Sequence, residues 1–88
     1  MVAYKVAILP SALDRLARVP RPDQKRLQAK IDQLSDDPRP AGAKRLHGKR
    51  ELLRLRSGHY RVIYTVEDNR RAILIIRIGH RREVYRHS

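Results

Sequence analysis

The chain has no cysteine, tryptophan or phenylalanine, and a single methionine among its 88 residues. Without cysteine there can be no disulfide framework, no thiolate nucleophile and no cysteine-ligated zinc. The four histidines, His47, His59, His80 and His87, show no H-x-x-x-H or comparable ligand spacing, so no metal site is expected. A glycine-rich phosphate loop is absent, and none of Ser11, Ser35 and Ser57 sits in a nucleophile elbow. Long apolar runs are missing as well: nothing approaches the roughly 20 residues that a membrane span requires. The opening MVAYKVAILP carries Lys5 in its middle and does not read as a secretory signal. These absences predict a soluble, cytoplasmic protein with no cofactor and no membrane partner.

Positive charge is what the chain has in abundance. Lys and Arg number 21 against 9 acidic residues, a net +12, and the excess is uneven: residues 1–43 hold +3 and residues 44–88 hold +9. So one-sided a field favours a polyanionic partner and fast, salt-sensitive association. Sixteen of the 21 cations are arginine. Arginine stays charged, is weakly hydrated and offers a planar fork of donors suited to phosphate. A membrane surface is the competing polyanion, but no basic amphipathic helix with a bulky apolar face is present.

The length suits one domain with one small core, spanning residues 1–88. From Val2 to Leu9 the residues alternate as in a strand, which Pro10 ends; Ser11 then reads as a helix N-cap with Asp14 three residues on. A helix from Ala12 to about Arg18 should bury Leu13, Leu16 and Ala17. Pro20 stops it, and Pro22 and Asp23 suit the first turn of a second helix. That helix runs to about Ser35 with Leu27, Ile31 and Leu34 inward. The basic stretch from Pro38 to Arg50 reads as irregular, and three strand-like runs follow: Leu52–Arg56, Tyr60–Val66 and Ala72–Ile78. Short turns at Gly58 and at Asp68-Asn69 mark an antiparallel meander. The continuously apolar third run is expected to be buried on both faces. The predicted architecture is α+β, in the order β-α-α-β-β-β, with a helical hairpin on one face of a small, mostly antiparallel sheet.

Parity then sorts the meander. Side chains alternate faces along a strand, so Leu53 and Leu55 oppose Arg54 and Arg56, while Tyr60, Val62, Tyr64 and Val66 oppose Arg61. One face should pack on the helices and the other present guanidinium groups. Arg54, Arg56, Arg77 and Arg82, with Lys44, Arg45 and Lys49 of the preceding basic stretch, are the candidates for binding RNA phosphates. Such residues permit one reaction without a metal. RNA can be cut by attack of its own 2′-hydroxyl, provided that the nucleotide is held in line, charge on the phosphorane is stabilised, and protons are moved.

At G-H-Y-R-V-I-Y and I-x-R-I-G-H-R-R-E-V-Y-R the chain resembles the RelE/ParE superfamily of toxins, and the RelE branch in particular. Y-K-V near the start, K-R-L-H-G and L-R-L-R-S-G extend the likeness over nearly the whole chain. The resemblance implies a ribosome-dependent endoribonuclease that cleaves mRNA in the decoding site. It also implies a cognate antitoxin that silences it and that carries the complex to operator DNA. By position it gives Arg61 the phosphate, Arg81 charge stabilisation or leaving-group protonation, and Tyr85 stacking on the nucleotide or assistance to the base. Arg54 keeps the charge of a family lysine, whereas Leu52 stands where another lysine is found. His80 and Glu51 are the nearby candidates for the proton transfer that this lysine would serve. Two alternatives stay open: a ParE-like inhibitor of DNA gyrase without nuclease activity, and a non-catalytic RNA-binding module.

Overall fold

Five strands and two helices account for the residues described by the computed structural model, 3–46 and 52–80. In chain order they are β1 (Lys5–Ile8), α1 (Pro10–Arg18), α2 (Arg21–Leu34), β2 (Lys44–Leu46), β3 (Leu52–Ser57), β4 (Tyr60–Glu67) and β5 (Ala72–His80). The strands make one sheet in the order β1-β5-β4-β3-β2. β1 runs parallel to β5, and every other pairing is antiparallel. The α+β architecture and the meander are those the sequence predicts. One element is additional: the basic stretch before the meander is not irregular throughout, because Lys44–Leu46 adds an edge strand to β3. Three residues preceded by Pro40 and Gly42 carry too short an alternation to be read as a strand on their own.

Both helices lie on one face of the sheet. Their buried residues Ala12, Leu16, Val19, Leu27, Ile31 and Leu34 form a single core with Leu53, Leu55, Val62, Tyr64, Val66, Ile73, Ile75 and Ile78. Leu27, Ile31 and Leu34 are at most 1% exposed, as the i, i+4, i+7 spacing requires; each contributes about 1.5–3 kcal/mol by leaving water. The stripe expected on α1 is rotated. Ala12 and Leu16 face inward while Leu13 is 52% exposed. Its start also differs, since Pro10 occupies the first helical position and the Leu9 carbonyl accepts the Leu13 N–H at 2.9 Å. Ser11 is therefore inside the first turn and makes no capping bond. Proline needs no N–H partner there and its fixed φ already suits the helix, so the helix begins two residues earlier than the serine suggests.

β5 is not buried on both faces. Ile73, Ile75 and Ile78 are buried, whereas Leu74 and Ile76 are half-buried, because no helix among the described residues covers the second face. A bulge decides which residues lie where. Ile63 pairs with Arg77 and Tyr64 with Ile75, leaving Ile76 as the extra residue. In an unbroken strand Arg77 would share the core face with Ile73 and Ile75. The bulge turns Arg77 outward and brings Ile78 in.

The segment between α2 and β2 is tied down at several points. Tyr64, fully buried, donates its hydroxyl proton to the Pro38 carbonyl at 2.8 Å. Ser35 Oγ donates to the Tyr4 carbonyl at 2.8 Å, and the Tyr4 N–H returns a bond to the Ser35 carbonyl. Arg39 grips Asp68 with two bonds, at 3.2 and 3.0 Å, while the Tyr4 hydroxyl donates to Asp68 Oδ1 at 2.8 Å. Three parts of the chain far apart in sequence thus meet at the tip of the β4–β5 hairpin. Together they fix the path into β2.

Candidate nucleic-acid interface

Register assembles the basic residues of the uncovered sheet face into rows. Lys44 pairs with Arg54, Arg54 with Ile63, and Ile63 with Arg77, so these four lie side by side across β2, β3, β4 and β5. One step along, Arg56 pairs with Arg61 and Arg61 with Gly79. Directly opposed side chains stand about 5 Å apart at Cβ, and successive residues on one face of a strand are about 7 Å apart. Five cations therefore cluster within a patch on the scale of one or two nucleotides. No carboxylate occupies a position in either row. Beyond them the same face turns apolar, where Leu46, Leu52, Thr65 and Leu74 line up.

The arginines differ in their surroundings. Arg56 is exposed and Arg54 and Arg77 are half-buried, but Arg61 is only 6% exposed despite facing away from the helices. Its guanidinium folds back onto the β3–β4 turn. One terminal nitrogen donates to the Tyr60 carbonyl at 3.3 Å and reaches the Gly58 carbonyl at 3.5 Å. Gly58, at φ +60°, opens that two-residue turn, a conformation glycine adopts without strain. With Gly79 as its β5 neighbour, Arg61 has no side chain opposite it on that strand. A guanidinium so desolvated interacts more strongly with an anion than one in bulk water does.

Not every candidate joins this patch. Arg45 pairs with Leu53, whose side chain is in the core, so Arg45 belongs to the helix side of the sheet. It is exposed there and stands across the sheet from Arg54. His80 pairs with Tyr60 and lies one step past the Arg61–Gly79 pair. Lys49, Glu51, Arg81, Arg82 and Tyr85 lie outside the described residues. The fate of the proton-transfer candidates is accordingly unequal: His80, as the partner of Tyr60, falls on the helix side of the sheet and does not join the patch, and Glu51 is one of those outside.

Sequence reasoning passes over one arrangement. His59 and His80 stack, with ring centroids 6.0 Å apart and planes 18° from parallel, and Tyr60 meets His80 edge-on at 5.8 Å. These residues are 21 apart in sequence, and only the hairpin register brings them together. The signal was present in the pairing of the Gly58-His59 turn with the end of the third strand.

The fold has known counterparts. A family model described as the ParE toxin of type II toxin–antitoxin systems matches residues 6–85. Among solved structures, an archaeal RelE–RelB complex from Pyrococcus horikoshii is 30% identical with a TM-score of 0.81, over 90% of this chain and 96% of that one. The toxin–antitoxin complex RelBE2 of Mycobacterium tuberculosis is 25% identical with a TM-score of 0.77, over 90% and 99%. The intact RelBE complex of Escherichia coli is 26% identical with a TM-score of 0.73, over 89% and 96%. No curated protein matches the chain.

Proposed function

The chain belongs to the RelE/ParE superfamily of type II toxin–antitoxin toxins, on its RelE-like branch, and on that premise we propose that it inhibits translation by cutting mRNA on the ribosome. The observation that carries this reading is the pair of cationic rows, Lys44-Arg54-Arg77 and Arg56-Arg61, on a sheet face with no carboxylate among them. The target 2′-oxygen attacks the adjacent phosphorus while the bond from phosphorus to the 5′-oxygen breaks. A base takes the 2′-hydroxyl proton, and an acid supplies one to the departing 5′-oxygen. The products are a 2′,3′-cyclic phosphate and a 5′-hydroxyl. Arg61 holds the phosphate and stabilises the charge that builds on it. Arg54, Arg56 and Arg77 hold the flanking backbone. Arg81 and Tyr85 enter from the resemblance, as charge stabiliser and as the ring on the nucleotide. DNA lacks the attacking hydroxyl and is spared.

The apolar row beside the cations, Leu46-Leu52-Leu74, together with the surplus of positive charge, suits an amphipathic, acidic segment of an antitoxin as the partner that silences this face. The Pyrococcus and Escherichia relatives are toxin–antitoxin complexes, RelE–RelB and RelBE.

Single-turnover cleavage of a ribosome-bound message, with product ends mapped, tests the proposal. Arg61→Ala should lower the rate by about 10²–10³, the scale of losing one preorganised oxyanion donor, while ribosome binding falls far less. A 2′-deoxy target nucleotide should abolish cleavage and spare binding. Wild-type rates from Arg61→Ala, or products ending in a 3′-hydroxyl, would refute it. The family description and Leu52, in place of a lysine, favour a second reading as a gyrase inhibitor. A supercoiling assay decides that one.

A further inference from the structure

We propose that Glu67 reads the base of the nucleotide bound on the uncovered sheet face, by accepting a hydrogen bond from an exocyclic amino group. The inference rests on the RNA reading above and deepens it, from a phosphate site to a choice among bases. Three observations carry it. Along β4 the residues that share this face are Arg61, Ile63, Thr65 and Glu67, about 7 Å apart at each step. The strand therefore runs from a phosphate ligand, through an apolar middle, to a carboxylate. Next, Thr65 pairs with Leu52 on one side and Leu74 on the other, all three half-buried, so the middle is an apolar bed holding one hydroxyl. Finally, Glu67 is the one acidic residue in the five strands of the described chain. Its neighbour on β5 is the small Ala72, and its carboxylate side chain is 61% exposed.

An acid on a face that holds phosphates works against affinity, because it repels the backbone. Its ion pair with Arg70, at 3.5 Å between two exposed side chains, contributes too little to account for it. A nucleotide has the same polarity as the strand: phosphate at one end, the hydrogen-bonding edge of the base at the other. With the phosphate on the row of Arg54 and Arg77, the base falls one step along, on Leu52, Thr65 and Leu74. Its outer edge then points to Glu67. Tyr60 and Tyr64 pack on the helix side, so the base rests on aliphatic side chains here and not on a ring. An ionised carboxylate can only accept. Cytosine offers it the N4 amino group, where uracil has a carbonyl oxygen that the carboxylate repels.

The test is the affinity of the full chain, at low salt, for oligocytidylate and oligouridylate of equal length. The two share one backbone, and their bases differ in the group at ring position 4. Wild type should bind the cytidylate about tenfold more tightly, in the lower part of the range for a directed contact to a base edge. Glu67→Gln should abolish that preference, because an amide can also donate to the uracil carbonyl. Both affinities should rise in this variant, since a charge that repels phosphate is gone; the ratio is therefore the readout. Arg54→Ala should weaken both and keep the ratio. Glu67 is an exposed residue at a strand end, and melting curves for each variant confirm that the fold is kept. A wild-type ratio near one, or a preference that survives Glu67→Gln, overturns this inference alone. Wild type that binds neither oligonucleotide overturns the RNA reading and this inference with it.

Discussion

At the scale of single residues, the environment of a charge matters more than its presence. Arg61 and Arg45 are equally cationic, yet one is desolvated against two carbonyls and the other is exposed on the far side of the sheet. Lysine could not replace Arg61 on equal terms, because a point charge on a flexible stem cannot hold turn carbonyls and a phosphate together. Asp68 shows the same dependence in its titration. The Arg39 guanidinium first, and the Tyr4 hydroxyl second, hold its carboxyl below the ordinary aspartate range. The same contact raises the Tyr4 hydroxyl above its own. A folded value depressed below the unfolded one gives stability that is present above about pH 4 and lost as pH falls through it. For Tyr4 the sign reverses: its share is present below about pH 10 and lost above. Asp68→Asn should therefore melt below wild type at neutral pH, with the gap closing in acid. Melting curves from pH 7 down to pH 2 check this, and a gap that widens in acid would contradict it. Both groups face solvent, so the effect should shrink with added salt.

Elements impose what residues alone do not reveal. The parity of Arg54, Arg56 and Arg61 could be read from alternation within one strand, and so could the core set of β3 and β4. Arg45 could not be assigned, because its face depends on its register with Leu53 in another strand. Nor could the burial of Arg61, which depends on the neighbouring turn. The bulge in β5 was written more openly, in the three-residue step from Ile75 to Ile78 where regular alternation would take two. It leads to a test. Deleting one residue from a regular strand flips everything beyond it to the wrong face. Deleting Ile76 instead heals the bulge and leaves Ile75 inward and Arg77 outward. That variant should fold with a loss of about 1–2 kcal/mol from the missing half-buried side chain, whereas deleting Arg54 from the regular strand β3 sets Leu53 and Leu55 on opposite faces and should forfeit the fold. Circular dichroism during urea denaturation compares the two, and equal damage from both would mean that Ile76 is no bulge. Ser11→Ala belongs to this scale as well. A true N-cap serine is typically worth about 1 kcal/mol. Since Ser11 makes no capping bond, its loss should stay within about 0.5 kcal/mol.

For the molecule as a whole, the question is whether a net charge of +12 acts as a diffuse cloud or through one face. A cloud would make all cations equivalent, and each removed would weaken RNA binding alike. The sheet predicts otherwise, because side chains on its two faces point in opposite directions and the strand backbones lie between them. Binding driven by phosphate neutralisation makes log affinity fall linearly with log salt, with a slope proportional to the contacts made. Arg54→Ala and Arg77→Ala each remove a cation from the shared row and should flatten that slope by roughly one unit. Arg45→Ala, one residue from Lys44 yet on the opposite face, removes the same charge and should leave the slope within error. It should also leave the single-turnover cleavage rate unchanged, since no phosphate bound across the arginine rows can reach it. Titrations of oligoribonucleotide over a tenfold range of salt, run on the three variants beside wild type, measure the difference directly. If Arg45→Ala flattens the slope as much as Arg54→Ala does, attraction comes from total charge and the sheet face has no privileged role.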